Sequence, residues 1–201
     1  MTRLRVAILI SGRGTNMQAI LDAAKVDDYA AKPVLVLSNR PDAAGLKIAS
    51  DYGIATAVVD HKPFGKDREA FERALHEHLV EHNAQMVILA GFMRILTPWF
   101  VSRWSQRMIN IHPSLLPKYP GLHTHQRAIE AGDQEAGCSV HWVTEGVDEG
   151  DVIAQSRVPI LSDDDAESLA ARVLPEEHAL YPKAANMAAK TILEKLKSPI
   201  R

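Results

Sequence analysis

The run Asn110-Ile111-His112-Pro113-Ser114-Leu115-Leu116-Pro117 sets a carboxamide and an imidazole two residues apart. Residues i and i+2 of an extended chain share one face, so both side chains point the same way if a strand persists there. A carboxamide N–H donating to a developing oxyanion, beside an imidazole that moves a proton, is the equipment of acyl transfer to an amine. The same pair equally fits a strand-end histidine with ordinary bonds, and spacing leaves both readings open. Downstream, Thr144 to Asp151 holds Glu145, Asp148, Glu149 and Asp151. A solvated loop accounts for most of these acids. One of them could reach the imidazole and favour its charged form, but the spacing does not single it out.

A second chemical signal is Ser11-Gly12-Arg13-Gly14-Thr15-Asn16, between an apolar run and a helical pattern. Glycines permit a tight turn, and free amides at a helix start attract anions. A dinucleotide fingerprint requires a third glycine where Met17 stands, and an acid near Ser38-Asn39-Arg40. Both are missing, which argues against NAD and for a single phosphate group. Gly91-Phe92-Met93-Arg94-Ile95-Leu96 is an apolar loop with one arginine. It suits either loop packing or a flat aromatic ligand bonded to backbone groups. His78-Leu79-Val80-Glu81-His82 spells an inverted zinc-protease pattern. It lies mid-helix without a visible third ligand, so a polar helix margin is the better reading and no metal is expected. His123 and His125 read as loop or pocket polar groups, Asp163-Asp164-Asp165 as a helix-start charge cluster and Cys138 as a small buried hydrophobe.

The elements that must position these residues are legible from periodicity. Val6–Ile10, Val34–Leu37, Thr56–Val59, Met86–Leu89 and Met108–Ile111 are short, uniformly apolar strands. Helical patterns over Asn16–Val26, Ala43–Tyr52 and Asp67–His82 separate most of them. Such strands imply an α/β fold, Rossmann-like, with a mostly parallel sheet covered by helices on both faces. Ligands then sit at the carboxyl ends of the strands, where the loops above fall. After a proline-rich loop and a short helix over Thr124–Ala131, Cys138–Val143 and Val152–Val158 alternate, as antiparallel strands with one exposed face do. A helix over Asp165–Leu180 follows, then a last helix from Pro182 towards a fraying end at Ser198-Pro199.

Composition sets outer limits. The chain has 201 residues, 46% hydrophobic and 24% charged, which fits one soluble domain over residues 1–201 and excludes a disordered chain. A net charge of -2 supplies no global field for nucleic acid. A single cysteine cannot form an internal bridge. No apolar run approaches the roughly 20 residues of a membrane span, and the start reads as a strand rather than a signal peptide, so cytoplasm is the expected address.

Taken together, the segments resemble the folate-dependent formyltransferase family, most closely its phosphoribosylglycinamide-formylating branch of purine synthesis. The likeness runs from Val6 to about Pro182. It rests on Ala90 through Leu96, Asn110 through His125, Ser139-Val140-His141 and Glu177-His178-Ala179-Leu180-Tyr181-Pro182. The resemblance implies formyl transfer from 10-formyltetrahydrofolate, a co-substrate, to the amine of phosphoribosylglycinamide, without a metal. It implies Asn110, His112 and Asp148 as the catalytic trio. It assigns Gly14, Thr15, Asn16 and Glu177 to the phosphoribosylglycinamide, and Arg68, Met93, Arg94, Ile95, Leu96 and Asn110 to the folate. The loop Thr144 to Asp148 would contact the pterin. Small molecules are then the partners, with no nucleic acid or membrane, and a homodimer is allowed for. Thr15 stands where serine is common and keeps the hydroxyl; Asp151 replaces a frequent proline, and Pro175 enters ahead of Glu177. The expected mechanism has the amine attack directly, with Asn110 and a protonated His112 on the oxyanion and Asp148 raising the imidazole pKa. The alternative is a formyltetrahydrofolate hydrolase, whose relatives carry an additional domain ahead of the core, whereas Val6 opens the first strand here. A transfer-RNA formyltransferase would need a further C-terminal domain. A non-catalytic folate- or nucleotide-binding module would lack the trio.

Overall fold

The structure, a computed structural model, describes residues 2–197. Strands β1 (Leu4–Ile10), β2 (Ala31–Ser38), β3 (Ala55–Val58), β4 (Met86–Leu89) and β5 (Met108–His112) pair in parallel. Strands β6 (Glu135–Trp142) and β7 (Val152–Pro159) extend the sheet antiparallel. The spatial order is β3-β2-β1-β4-β5-β6-β7. Around the sheet lie α1 (Thr15–Ala23), α2 (Gly45–Asp51), α3 (Arg68–Glu81), α4 (Pro98–Arg103), α5 (Thr124–Glu130) and α6 (Ala166–Lys197).

Strands β1, β2, β4 and β5 have two buried faces because successive side chains point to opposite sides, whereas β3, at the sheet edge, is mostly exposed. Val6, Ile8 and Ile10 of β1, with Met86, Ile88, Ile109 and Ile111, enter one core with residues of α1 and α6. Ala7, Leu9, Leu35, Leu37, Val87 and Leu89 enter the other, against α3 and α4. Strand order reverses at β1, whose neighbours are β2 and β4. Loops leaving the carboxyl ends of β1 and β4 therefore diverge to opposite faces and open a crevice between them. These are the glycine loop and the apolar arginine loop.

The C-terminal helices depart from expectation. Instead of two, one helix runs through both Pro175 and Pro182. Each proline removes a backbone N–H, but the buried stripe of Leu169, Val173, Tyr181, Ala184, Ala185, Ala188, Ala189 and Ile192 continues across them. Packing of that stripe against the sheet holds the helix together where local propensity would end it. The Tyr181 hydroxyl fixes it further, donating to Leu89 O at 2.8 Å beneath the sheet's end. Helix α1 stops at Ala23 rather than Val26, and Val26 is exposed. Helix α4 was not expected, although Thr97-Pro98 is an N-cap followed by proline at the first helical position. Ser198-Pro199 lies outside the described residues. Among those described, no helix is long and apolar enough to cross a membrane.

Candidate active site

The last residues of β5 carry Asn110 and His112, and the β6–β7 connection carries Asp148. His112 Nδ1 lies 3.2 Å from Asp148 Oδ2. The second carboxylate oxygen, Oδ1, lies 3.4 Å from His141 Nε2, and Asn110 Nδ2 is 3.3 Å from that same nitrogen. Asn110, His112 and Asp148 are thus brought together as expected, and Asp148 is the loop acid that reaches the imidazole. His141 completes the cluster. It stands opposite Asn110 in the β5–β6 register and beside a bulge at Val140/His141. Sequence reasoning gave it no role, although alternation along β6 sets it on the face opposite Val140. His141 Nδ1 lies 3.0 Å from Trp142 O, and its Nε2 stands between Asn110 Nδ2 and Asp148 Oδ1.

Local backbone explains how an exposed loop presents a half-buried acid. Asp148 has φ +56°, a left-handed conformation that aspartate tolerates better than most residues. Its carboxylate also accepts the Gly121 amide at 2.9 Å, tying the acidic loop to the proline-rich one. Burial pushes the Asp148 carboxyl up, but the His141 ring, the Gly121 amide and His112 outweigh it and hold it below the usual carboxylate range.

Burial acts more strongly on the His112 imidazole pKa than Asp148, which pulls it up as expected. Burial pushes its pKa below the ordinary histidine value, and the Tyr119 carbonyl and Asp148 only partly restore it. The ring is 5% exposed, so loss of solvent outweighs one neighbouring carboxylate. Its other nitrogen, Nε2, faces Tyr119 O at 2.8 Å. Each neutral tautomer therefore sets one lone pair against an oxygen, and only the imidazolium satisfies both acceptors. His125, also pushed down by burial and by His112, has a buried Nδ1 with no protein partner.

Beside this cluster opens a cavity of about 480 Å³ lined by Ser11 to Asn16, by Ala90, Gly91, Met93 and Arg94, by Ile111 and Pro113, and by Glu177. Gly14 caps α1 in a left-handed conformation, φ +76°. A Cβ there would lie 2.8 Å from Gly45 Cα, so paired glycines let α2 press the turn into shape. Asn16 Nδ2 donates to Glu177 Oε2 at 2.6 Å, joining residues far apart in the chain. Asn16 Oδ1 is buried without a protein partner. Burial pushes the Glu177 carboxyl up, and Asn16 only partly opposes this.

The apolar loop contributes Met93 and Arg94 to the cavity. Met93 and Ile95 are 72% and 68% exposed, large apolar surfaces available to a flat ligand, whereas Leu96 packs into the second core. Arg68 does not line the cavity. It stands exposed at the start of α3, one turn before Glu72. Asn39, Arg40 and His61 do line it and were missed. They follow β2 and β3, where the carboxyl-end rule for parallel strands would have pointed. Away from this region, His82 Nδ1 faces His78 O at 2.9 Å, an intrahelical contact. Among the described residues no three His, Cys, Asp or Glu side chains are grouped to hold an ion.

The formyl transferase family matches residues 4–185. The chain is 49% identical to the phosphoribosylglycinamide formyltransferase of Escherichia coli strain K12, over 89% of this chain and 84% of that protein. It is also 49% identical to the trifunctional purine biosynthetic protein adenosine-3 of Drosophila melanogaster, over 92% of this chain but only 14% of that much longer protein. Among solved structures, phosphoribosylglycinamide formyltransferase from Brucella melitensis superposes with TM-score 0.88 at 49% identity, covering 94% of this chain and 96% of that one. Glycinamide ribonucleotide transformylase 1 from Symbiobacterium toebii gives TM-score 0.90 at 42% identity, covering 94% and 89%.

Proposed function

The chain belongs to the formyl transferase family, and from that premise we propose that it transfers the formyl group of 10-formyltetrahydrofolate to the amine of 5'-phosphoribosylglycinamide. It does so as one formyltransferase domain, on small molecules, in the cytoplasm. The observation that carries this reading is the carboxamide–imidazole–carboxylate cluster, held at 3.2–3.4 Å through His141, beside a cleft lined by the start of α1.

The phosphate binds the amides of Gly14, Thr15 and Asn16 at the start of α1. The ribose hydroxyls donate to Glu177, and the free Asn16 Oδ1 accepts from the same ligand. The folate lies along Met93, Arg94, Ile95 and Leu96, with Arg68 at the outer rim for its carboxylates and the loop Thr144 to Asp148 over the pterin. Exposed Met93 and Ile95 fit a flat ring, and the Arg94 charge fits an anionic tail.

The donor supplies an electrophilic formyl carbon. The amine attacks it and forms a C–N bond, and the carbonyl oxygen becomes an oxyanion. Asn110 Nδ2–H donates to that oxygen. His112, whose pKa burial pushes down, takes the proton shed by the amine, relayed by a water, and becomes the imidazolium. In that form its charge balances the nearby oxyanion and Asp148, with Nδ1 beside the carboxylate and Nε2 on the Tyr119 carbonyl. It then gives the proton to the departing folate nitrogen as the old C–N bond breaks.

The test is turnover of 10-formyltetrahydrofolate with and without phosphoribosylglycinamide. Release of tetrahydrofolate should require the acceptor, with formyl recovered on its nitrogen. Donor turnover that ignores the acceptor would turn the reading to a hydrolase. His112→Ala is expected to lower kcat by about 10²–10⁴, and retention of full kcat would remove His112 from the chemistry.

A further inference from the structure

The two loops that line the cleft are joined by one buried hydroxyl. Ser11 Oγ, 6% exposed at the end of β1, accepts the Met93 amide N–H at 2.8 Å. The same oxygen donates to Asn39 Oδ1 at 2.6 Å. Asn39 is itself buried at the end of β2, and its Nδ2 faces His61 Nδ1 at 3.2 Å. The hydroxyl has one proton, and Asn39 takes it, so the oxygen's lone pair is aimed at Met93 rather than free to rotate. Ser11 is covalently the first residue of the glycine turn, and Met93 is in the middle of the apolar loop. The far end of that loop is held separately, where Thr97 N donates to buried Glu72 at 2.7 Å and the Thr97 hydroxyl donates to the same carboxylate.

This leaves a single direct side-chain link among the described bonds between the segment 11–16 and the segment 91–96. A shift of the glycine turn would reach the Met93 backbone through this bond, and a shift of the apolar loop would reach the turn. The geometry points to Ser11, held by Asn39, as a positioning residue that couples the two substrate sites, so that each ligand tightens the binding of the other. The inference rests on the reading of these segments as the phosphoribosylglycinamide and folate sites.

The experiment uses tetrahydrofolate, which has no formyl group and so forms a dead-end pair with phosphoribosylglycinamide. Its Kd is measured calorimetrically with and without saturating phosphoribosylglycinamide, and then in the reverse order. In the unaltered protein each ligand should tighten the other by the same factor, about fivefold or more, since linkage is reciprocal. In Ser11→Ala both ligands should still bind singly, and the factor should fall towards one. Ser11→Cys keeps the volume but is a weak acceptor; its factor should also fall, and it serves if the alanine variant does not fold. An unchanged factor in the folded variant, or no coupling in the unaltered protein while both ligands bind, overturns the inference and leaves the proposed function standing. Failure of the unaltered protein to bind either ligand overturns both.

Discussion

Asp148→Asn separates charge from shape at the centre of the cluster. The amide can still accept from Gly121 through its oxygen, so the loop geometry is kept while the charge 3.2 Å from His112 Nδ1 disappears. At an effective dielectric of about 20, the gross attraction at that distance is ~5 kcal/mol, an upper bound because the carboxylate is itself partly desolvated. Opposite charges this close move a pKa by about 1–3 units. His112 already lies below the ordinary histidine value because of burial, and losing the charge lowers it further. Two effects follow in opposite directions. The free imidazole stays neutral to lower pH, so the acid limb of the kcat/KM profile should shift down. The imidazolium formed during reaction loses its counter-charge, so the plateau of kcat should fall by about 10–10³, the same interval expressed as rate. The assay is kcat and kcat/KM across pH with both substrates, with the His112 ring resonances followed by NMR. An acid limb that stays in place or shifts up, or ring resonances that titrate as before, would refute the electrostatic argument.

Gly45→Ala would bring a Cβ to 2.6 Å from Ile10 Cδ1 and 3.1 Å from Gly14 Cα, so it should weaken phosphoribosylglycinamide binding far more than tetrahydrofolate binding. Overpacking of this kind should also cost about 1–3 kcal/mol in a urea unfolding titration. Glu177, pushed up by burial, should protonate above the ordinary glutamate range. Affinity for phosphoribosylglycinamide should therefore fall as pH drops towards that range, and Glu177→Gln should flatten the dependence in a calorimetric series. Tyr181→Phe removes a buried hydroxyl that bonds Leu89 O, and should cost about 1 kcal/mol, seen in the melting temperature without a change in KM. His76, His112, His125 and His178 are all pushed down by burial, so the unfolded chain takes up protons first. Stability should be full above the unfolded histidine pKa and fall as pH drops below it, and a urea midpoint that rises on that descent would contradict this.

What was legible in the sequence follows the reach of each signal. Parallel strands buried on both faces announce themselves as apolar runs, so β1, β2, β4 and β5 fall close to where periodicity sets them. The glycine turn, the apolar loop and the Asn110–His112 pair were legible because each lies within a few residues. Asp148 was not, from spacing alone. Its pairing with His112 is made by folding two loops together through the Gly121 amide, and the family resemblance, not the residues, singled it out. His141 was missed for the same reason, since its role arises from antiparallel register opposite Asn110. The continuous α6 escaped because proline is a strong local signal, and the packing that overrides it is tertiary. Asp148's upward pull on the His112 ring was legible once the acid was singled out, but the opposing burial was not, because sequence shows a charge neighbour and not how deeply the ring is buried.

Burial and the Asp148 charge act on the histidine in opposite directions, and the proposed mechanism uses both. A permanently charged His112 could steady an oxyanion, but it could not take the amine's proton. Burial alone would give a base too weak to take up and hold the proton, because its conjugate acid would have no partner. The proposed mechanism combines the two, since burial pushes the ring's pKa down while Asp148 and the Tyr119 carbonyl, one on each nitrogen, favour the cation. The balance tips when negative charge develops nearby, which is when the reaction needs it to tip. Asp148 is then best described as the group that sets how far it tips. The Asn110–His141 contact keeps the carboxamide within the same cluster, so that the oxyanion and the proton carrier meet at one place.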